Sequence, residues 1–187
     1  MQLGNLVEFR TLLSEEEYNR LMERFKGNRM DIQTNHYFDT KRFSLKAHDA
    51  SLRVKEREDF ILVLKKKKGY NLHEFQLPIT KETFEEIRKT GMVPEGEIYN
   101  ELLPLIGSQK LFNFLSLSTL RLFFAYKNGI LYIDKSQYLG QTDYELIYET
   151  SSRNLKEFVK LIGEFELKYK KTEKKIRRAF KAYKRMH

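Results

Sequence analysis

The most constraining feature of the sequence is a stretch of alternating charged and apolar residues from Ser51 to Lys68, SLRVKEREDFILVLKKKK. Successive side chains of a β-strand point to opposite faces, so the alternation predicts two strands joined by a turn at Glu58–Asp59. The first strand then carries cations on one face and apolar residues on the other: Arg53, Lys55 and Arg57 against Leu52 and Val54. On the return strand, Ile61, Val63 and Lys65 share a face. This ladder of cations suits either a solvated surface or the binding of a polyanion.

Composition indicates a single domain, 1–187, with a sizeable core. The 187 residues are 41% hydrophobic and include 14 Phe and 11 Tyr. The 35 basic and 26 acidic residues give a net charge of +9. This balance favours anionic partners such as nucleotides, polyphosphate, RNA or an acidic membrane surface, without choosing among them.

The absence of cysteine excludes disulfides, thiolate nucleophiles and Cys-based zinc sites. It also makes the reducing cytoplasm the natural compartment. No apolar run approaches the ~18 residues that a membrane span needs, so no membrane association is expected. The sequence gives no indication of the oligomeric state.

Periodicity and turn residues predict about eight strands and five helices. The strands are Leu6–Leu12, Gln33–Asp39, the two strands of the basic hairpin, Leu72–Leu77 closed by Pro78, Ser116–Tyr126, Gly129–Tyr138 and Asp143–Glu149. The helices run from Ser14 to about Lys26, then over Glu82–Arg88 after the cap Thr80, Pro94–Leu105, Leu155–Phe165, and Glu173–Lys184 after the cap Thr172. This last helix, about 173–185, is basic, and Ile176, Phe180 and Tyr183 form its predicted packing stripe. The fold class predicted is α+β: an eight-stranded antiparallel β-barrel, closed or nearly closed, with helices packed outside.

Familiar catalytic motifs are absent from the sequence. No glycine motif matches a P-loop or a dinucleotide fingerprint, the four histidines lack metal-ligand spacing, and there is no nucleophile elbow. Instead, most of the predicted strands offer a charged face. In an open sheet these faces are solvated, whereas in a closed sheet they line a wet or ligand-filled lumen, because so many charges cannot be buried unpaired.

Several motifs resemble one family in their order along the chain. They are VEFR, NHYFDT, SLRVKE followed by LVLK, LHEFQL, LYIDKSQYLG and DYELIYE. This order is similar to that of CYTH-domain proteins, the triphosphate tunnel metalloenzymes, which include thiamine triphosphatases, a class of adenylyl cyclases and RNA triphosphatases. The small bacterial CYTH proteins look most similar, and the resemblance covers nearly the whole chain.

The resemblance implies an eight-stranded tunnel that binds a triphosphate with cations and a divalent metal, Mg²⁺ or Mn²⁺, with glutamates. The phosphate-binding residues implied are Arg10, Arg53, Lys55, Lys65, Arg121 and Lys175, with Arg178 a weaker candidate. The metal carboxylates implied are Glu8, Glu145 and Glu149, with Glu74 and Asp134 orienting the cations or a second ion. Among these, Glu8, Arg10 and Lys65 are the implied catalytic residues.

This sequence departs from the family pattern at the carboxylates. Leu6 and Ile147 stand where the family usually has glutamate, and Arg10 stands where it usually has lysine. Leucine and isoleucine cannot coordinate a metal, so the pattern argues better for triphosphate binding than for hydrolysis.

Three functional hypotheses follow. The first is a metal-dependent triphosphatase acting on inorganic triphosphate or on a nucleoside or thiamine triphosphate. The second is a weakly active or inactive module that binds triphosphate, polyphosphate or a nucleotide. The third, less favoured, is RNA binding through Lys170–Lys184 and the Lys65–Lys68 run, because these segments lack interleaved exposed aromatic residues.

Overall fold

The structure is a computed structural model that describes residues 6–69 and 71–187, apart from the side chain of Lys68. Residues 1–5, residue 70 and the Lys68 side chain, which the predicted domain 1–187 and the predicted basic run include, lie outside the described residues.

Eight strands and six helices make up the described chain. The strands are β1 (Val7–Leu13), β2 (Arg29–Thr40), β3 (Ala50–Glu56), β4 (Phe60–Lys68), β5 (Asn71–Ile79), β6 (Leu111–Tyr126), β7 (Gly129–Tyr138) and β8 (Gln141–Thr150). The helices are α1 (Glu15–Arg24), α2 (Ser44–Ala47), α3 (Lys81–Thr90), α4 (Glu97–Ile106), α5 (Leu155–Gly163) and α6 (Lys175–Met186).

The strands form one antiparallel sheet in the order β1-β8-β7-β6-β2-β3-β4-β5. The predicted fold class, eight antiparallel strands with helices, is confirmed. In the described residues β1 and β5 are the two ends of the hydrogen-bonded order, so hydrogen bonds do not close the sheet there.

The chain divides into two compact units, each with its own apolar core. The first unit comprises 1–32 and 118–187, and the second comprises 33–117. In the first, buried residues of β1, β6, β7 and β8 pack with α1 and α5. In the second, buried residues of β2, β3 and β4 pack with α2, α3 and α4.

In the first unit, the charged face of the sheet is opposite the core. Leu122, Leu131, Ile133 and Leu146 are buried in the core, and their neighbours along each strand point the other way. Helix α1 begins at the predicted capping box, in which Ser14 Oγ accepts from Glu17 N at 3.1 Å and Glu17 Oε2 accepts from Ser14 N at 2.7 Å. Because one face of these strands is buried in the core, the alternate residues lie on the charged face, where the candidate site is.

The second unit contains the basic hairpin, with its turn where the sequence predicted it. Leu52, Val54, Leu62 and Leu64 are fully buried against the helices, so Arg53, Lys55 and Lys65 lie on the opposite face. Helix α3 begins at the predicted cap Thr80 and ends at Gly91, whose φ is +72°. A Cβ at Gly91 would lie 2.4 Å from the Leu111 carbonyl oxygen, so only glycine fits this turn.

Three local features differ from the sequence-based predictions. Strand β5 continues through Pro78 to Ile79. Proline has no N–H to donate, and a strand at the end of the hydrogen-bonded order tolerates it because no neighbouring strand needs that donor on the unpaired side. Thr172 does not cap α6, whose N-cap is Lys174 without a side-chain cap. The buried residues of α6 are Ala179 and Ala182, and the predicted packing stripe is only partly buried.

Helix α2 was not predicted, and a buried carboxylate holds it. Asp39, 3% exposed, accepts hydrogen bonds from the backbone N–H groups of Thr40, Leu45 and Lys46 at 2.7, 2.9 and 3.1 Å. Leu45 and Lys46 lie at the start of α2, a helix that has no side-chain cap of its own. The aspartate of the YFDT motif therefore fixes the segment between β2 and β3.

We expect Asp39→Asn to lower the free energy of unfolding by about 1.5–3 kcal/mol, because an amide has one acceptor oxygen and leaves buried N–H groups unpaired. Urea denaturation measures this change. The matched control is Asp49→Asn, since the Asp49 side chain is 72% exposed and lies 3.6 Å from Lys67, a pair that contributes little. Equal stability of the two variants would contradict the role assigned to Asp39.

None of the helices in the described part of the chain combines the length and the apolar character needed to cross a bilayer.

Candidate functional site

The first unit brings most of its predicted site residues onto one face of the sheet. Residues directly opposite each other in antiparallel strands share a face. Glu8 lies opposite Glu149, and Glu145 lies opposite Asp134, which in turn lies opposite Arg121. Arg10 is two residues along β1 from Glu8, so it shares this face. The six residues concerned are Glu8, Arg10, Arg121, Asp134, Glu145 and Glu149.

Asp134 is the buried centre of an ionic cluster on this face. It is fully buried, accepts from Arg121 Nε and Nη2 at 2.7 and 2.6 Å, and accepts from Lys175 Nζ at 2.5 Å. Burial alone would raise the pKa of Asp134, but the hydrogen bond from Arg121 and the charge of Lys175 outweigh it and lower this pKa. Burial would likewise lower the pKa of Arg121, and the Asp134 hydrogen bond raises it instead. Both groups are therefore held in their charged forms.

A second pair of carboxylates anchors helix α6 through Arg178. Its guanidinium donates to Asp143 Oδ2 at 2.8 Å and to Glu145 Oε2 at 3.1 Å. Burial opposes the charged form of Arg178, but the charge of Glu145 and the bond to Asp143 raise its pKa. Tyr138 donates to Asp143 at 2.5 Å, and burial together with this bond raises the pKa of Tyr138 to about 12.

Glu145 has a cation beside each of its carboxylate oxygens. Lys175 Nζ lies 3.1 Å from Glu145 Oε1, within ion-pair distance. This buried oxygen nevertheless has no hydrogen-bond partner among the described residues.

The carboxylates predicted to hold a metal are separated on this face. Glu8 and Glu149 are direct cross-strand partners, an arrangement that destabilises a sheet unless a cation lies between the two charges. Glu8 accepts from Arg10 at 2.5 Å, and Glu149 accepts from Tyr132 at 3.3 Å. Glu145 is four residues from Glu149 along β8, about 13 Å. In residues 6–69 and 71–187, no group of three or more acidic or histidine side chains could hold a metal ion.

The second unit brings its four predicted site residues onto one face. Lys65 lies opposite Ser51 and Glu74, and Arg53 lies opposite Tyr37 and Val63. Lys55 is two residues from Arg53 on β3, opposite Ile61. The shared face of β3, β4 and β5 therefore carries Arg53, Lys55, Lys65 and Glu74.

Glu74 positions the cations of this face. Lys65 Nζ lies 2.7 Å from Glu74 Oε2, and Gln76 Nε2 donates to Glu74 Oε1 at 2.5 Å. The Lys65 hydrogen bond lowers the pKa of Glu74, and the charge of Arg53 contributes in the same direction. The Arg53 Nε–H is buried and donates to no group within the described residues. Arg53 is thus a half-buried guanidinium with hydrogen-bonding capacity left for an anion.

The basic runs considered for RNA binding are largely engaged in ion pairs. Lys66 pairs with Glu101, and Lys67 lies 3.6 Å from Asp49. In the C-terminal run, Lys170 pairs with Glu17 and Lys181 with Glu173, at 3.0 and 2.5 Å. These contacts use charges that an extended nucleic-acid surface would need.

The structure adds residues that the sequence reasoning did not single out for the site. Asp143 and Tyr138 hold Arg178, while Phe123 and Tyr132 lie on the charged face of the first unit. A signal for these two rings was present, because Phe123 is two residues from Arg121 and Tyr132 is two residues from Asp134. No sequence signal pairs Asp143 with Arg178, which are distant in the chain.

Comparison with known proteins identifies the family. The model of the CYTH domain matches residues 5–180. The protein called "Putative triphosphatase YjbK" from Bacillus subtilis (strain 168) is 30% identical over 182 residues, and the match covers 93% of this chain and 93% of that one. The chain therefore belongs to the CYTH family, as its motifs predicted, and the family implies a divalent metal.

Solved structures agree with this assignment. A crystal structure described as "a putative adenylate cyclase (bh2851)" from Bacillus halodurans is 33% identical, with a TM-score of 0.72 over 93% of this chain and 96% of that one. HpAC1 from Hippeastrum is 17% identical, with a TM-score of 0.69 over 97% of this chain and 95% of that one. At that identity, HpAC1 shows that the fold is shared.

Proposed function

We propose that this protein binds a triphosphate-containing substrate and hydrolyses it with a divalent metal ion, Mg²⁺ or Mn²⁺. Family membership and the Bacillus subtilis relative with a triphosphatase name support this function. The observation that carries it is the set of cations on one face of the sheet in each unit, among which Glu74 holds Lys65 and Asp134 holds Arg121. A cytoplasmic location for the single domain 1–187 is part of the proposal, on the basis of the cysteine-free composition.

In this proposal the cations bind phosphate oxygens with the donors that their carboxylate partners leave available. Arg121 uses Nε and Nη2 for Asp134, and a guanidinium has five N–H donors, so its Nη1 edge remains for phosphate. Arg53 likewise offers its Nε–H. Arg10, Lys55, Lys65 and Lys175 add positive charge. Cations fixed before the substrate arrives stabilise the charge on a transferring phosphoryl group without reorganisation.

Glu8 and Glu149 would hold a hard divalent cation, because direct cross-strand partners share a face and opposed carboxylates favour a positive charge beside them. In the structure Arg10 places such a charge beside Glu8. Two carboxylates together with substrate phosphates are a usual Mg²⁺ environment. A bound ion would act there as a Lewis acid toward phosphate oxygens. Glu145, separated from this pair, holds Lys175 with one carboxylate oxygen and Arg178 with the other.

Turnover assays with Mg²⁺ or Mn²⁺ test this function. We expect wild-type protein to release phosphate from tripolyphosphate or from an organic triphosphate, and chelation to abolish turnover. Glu8→Gln is expected to lower kcat by about 100-fold or more, because it removes a metal carboxylate. Glu23→Gln, a surface change on α1, is the matched control.

The binding-only alternative predicts a different result in the same assays. Calorimetry would then detect triphosphate binding, while phosphate release stayed at the level of Glu8→Gln. In that case Leu6→Glu/Ile147→Glu would be the informative variant. A gain of turnover in it would assign the missing activity to the two replaced carboxylates.

A further inference from the structure

A row of side chains crosses four strands in the middle of the charged face of the first unit. Arg10 lies opposite Ile147, Ile147 opposite Tyr132, and Tyr132 opposite Phe123. The next row on this face, two residues away along each strand, contains Glu145, Asp134 and Arg121. The neighbouring row on the other side contains Glu8 and Glu149. An aromatic pair therefore lies between the proposed phosphate-binding row and the proposed metal carboxylates.

The two rings are held firmly in place. Phe123 and Tyr132 are stacked with centroids 6.2 Å apart and an interplanar angle of 29°. The Arg121 guanidinium lies 4.4 Å from the Tyr132 centroid, and that of Arg29 lies 5.3 Å from the Phe123 centroid. The Tyr132 hydroxyl donates to Glu149 at 3.3 Å. Both rings remain half-buried rather than buried, so part of each stays accessible.

Ile147 explains why the row suits a ring rather than another ion. It is 3% exposed, between Arg10 and Tyr132 in the row. The family resemblance places a glutamate here, and isoleucine supplies apolar contact instead of a ligand. The replacement that weakens the metal site thus extends the apolar part of the aromatic row.

Inorganic triphosphate has no ring that could stack on Phe123 and Tyr132. The face of an aromatic ring carries negative electron density and cannot favour a phosphate, whereas it favours a heteroaromatic ring by stacking. Adjacent rows are about 7 Å apart along a strand, close enough for one molecule to contact both rows. Arg29 and Arg121 make cation–π contacts with Phe123 and Tyr132, which fixes the two rings beside positive charge.

We propose that Phe123 and Tyr132 form the stacking surface for a heteroaromatic group of the substrate. The preferred substrates are then triphosphates that carry such a ring, a nucleobase or a thiamine-like ring system, rather than inorganic triphosphate. This inference rests on the proposed function, because it assigns the phosphates of the same molecule to Arg10 and Arg121.

Equilibrium binding measurements test this inference independently of hydrolysis. Calorimetry in Mg²⁺ compares ATP, thiamine triphosphate and tripolyphosphate on wild type and on Phe123→Leu, because the contacts of the Phe123 ring are with Tyr132 and Arg29. We expect this variant to weaken at least one organic triphosphate by about 5- to 140-fold. Tripolyphosphate affinity is expected to change less than twofold. Comparison of ATP with thiamine triphosphate distinguishes a preference for a purine base from a preference for a thiamine-like ring.

A control variant separates stacking from folding. Phe112→Leu, which removes a half-buried ring on β6 in the second unit, should change neither affinity. Equal weakening of organic and inorganic triphosphates in Phe123→Leu overturns the inference, as does unchanged affinity for all of them. Absence of turnover with intact selective binding would overturn only the proposed hydrolysis.

Discussion

An Arg53→Ala variant is expected to bind triphosphate at least about 100-fold more weakly than the wild type. The Arg53 Nε–H is buried without a partner in the described residues, and Glu74 is close enough for the charge of Arg53 to lower its pKa. A guanidinium offers phosphate a planar fork of donors. Two charge-assisted hydrogen bonds at about 1.5–3 kcal/mol each account for a loss of this size.

Calorimetry with tripolyphosphate at fixed salt measures the effect. Arg53→Lys keeps the charge but loses the fork, so its affinity should fall between wild type and Arg53→Ala. Arg88→Ala is the charge-matched control, because Arg88 lies on α3 and pairs with Glu85 at 3.2 Å on the surface. If Arg53→Ala bound within threefold of the wild type, Arg53 would have no place in the phosphate site.

The second large effect concerns stability: Asp134→Ala is expected to lower the free energy of unfolding by about 3–5 kcal/mol. Removing one member of a buried ionic cluster leaves the others desolvated and without a counter-charge. Arg121 and Lys175 would both lose their shared partner, and their side chains are only 32% and 17% exposed. Chemical denaturation followed by circular dichroism measures the loss.

The pH dependence of the free energy of unfolding is a second test of the role of Asp134. Its pKa is lowered in the folded protein, so its contribution is fully present above the unfolded-state pKa of about 3.9 and is lost as pH falls through the folded-state pKa. The stability difference between wild type and Asp134→Asn should therefore narrow on acidification. Arg121→Met in the Asp134→Ala background should recover part of the loss, since the Nε and Nη2 donors of Arg121 both lose their acceptor in Asp134→Ala. A loss below 1 kcal/mol in Asp134→Ala would contradict the assigned role.

Much of the fold and of the candidate site could be predicted from local sequence. The alternation in Ser51–Lys68 placed Arg53, Lys55 and Lys65 on one face, and the structure confirms this placement. The predicted strand Gly129–Tyr138 has the bounds of β7, and the predicted caps Ser14 and Thr80 precede α1 and α3. These features follow from interactions within a few residues, which a sequence pattern records directly.

Helix α6 shows what local patterns miss. The predicted packing stripe of Ile176, Phe180 and Tyr183 was chosen because its side chains are large and hydrophobic. The structure instead buries Ala179 and Ala182, whose small side chains let the helix approach closely. Lys175 and Arg178 then reach Asp134 and Glu145. The strength of those buried ion pairs depends on partners distant in the chain, which helical periodicity does not record.

The sequence by itself therefore determined which residues share a face, because strand geometry has a period of two. Only the tertiary structure decided which charges meet. Strand register placed Glu8 opposite Glu149, away from Glu145, and aligned Ile147 with Tyr132 and Phe123. Register is set by the packing of the opposite, apolar face, so the chemistry of the charged face depends on residues that the site does not contain.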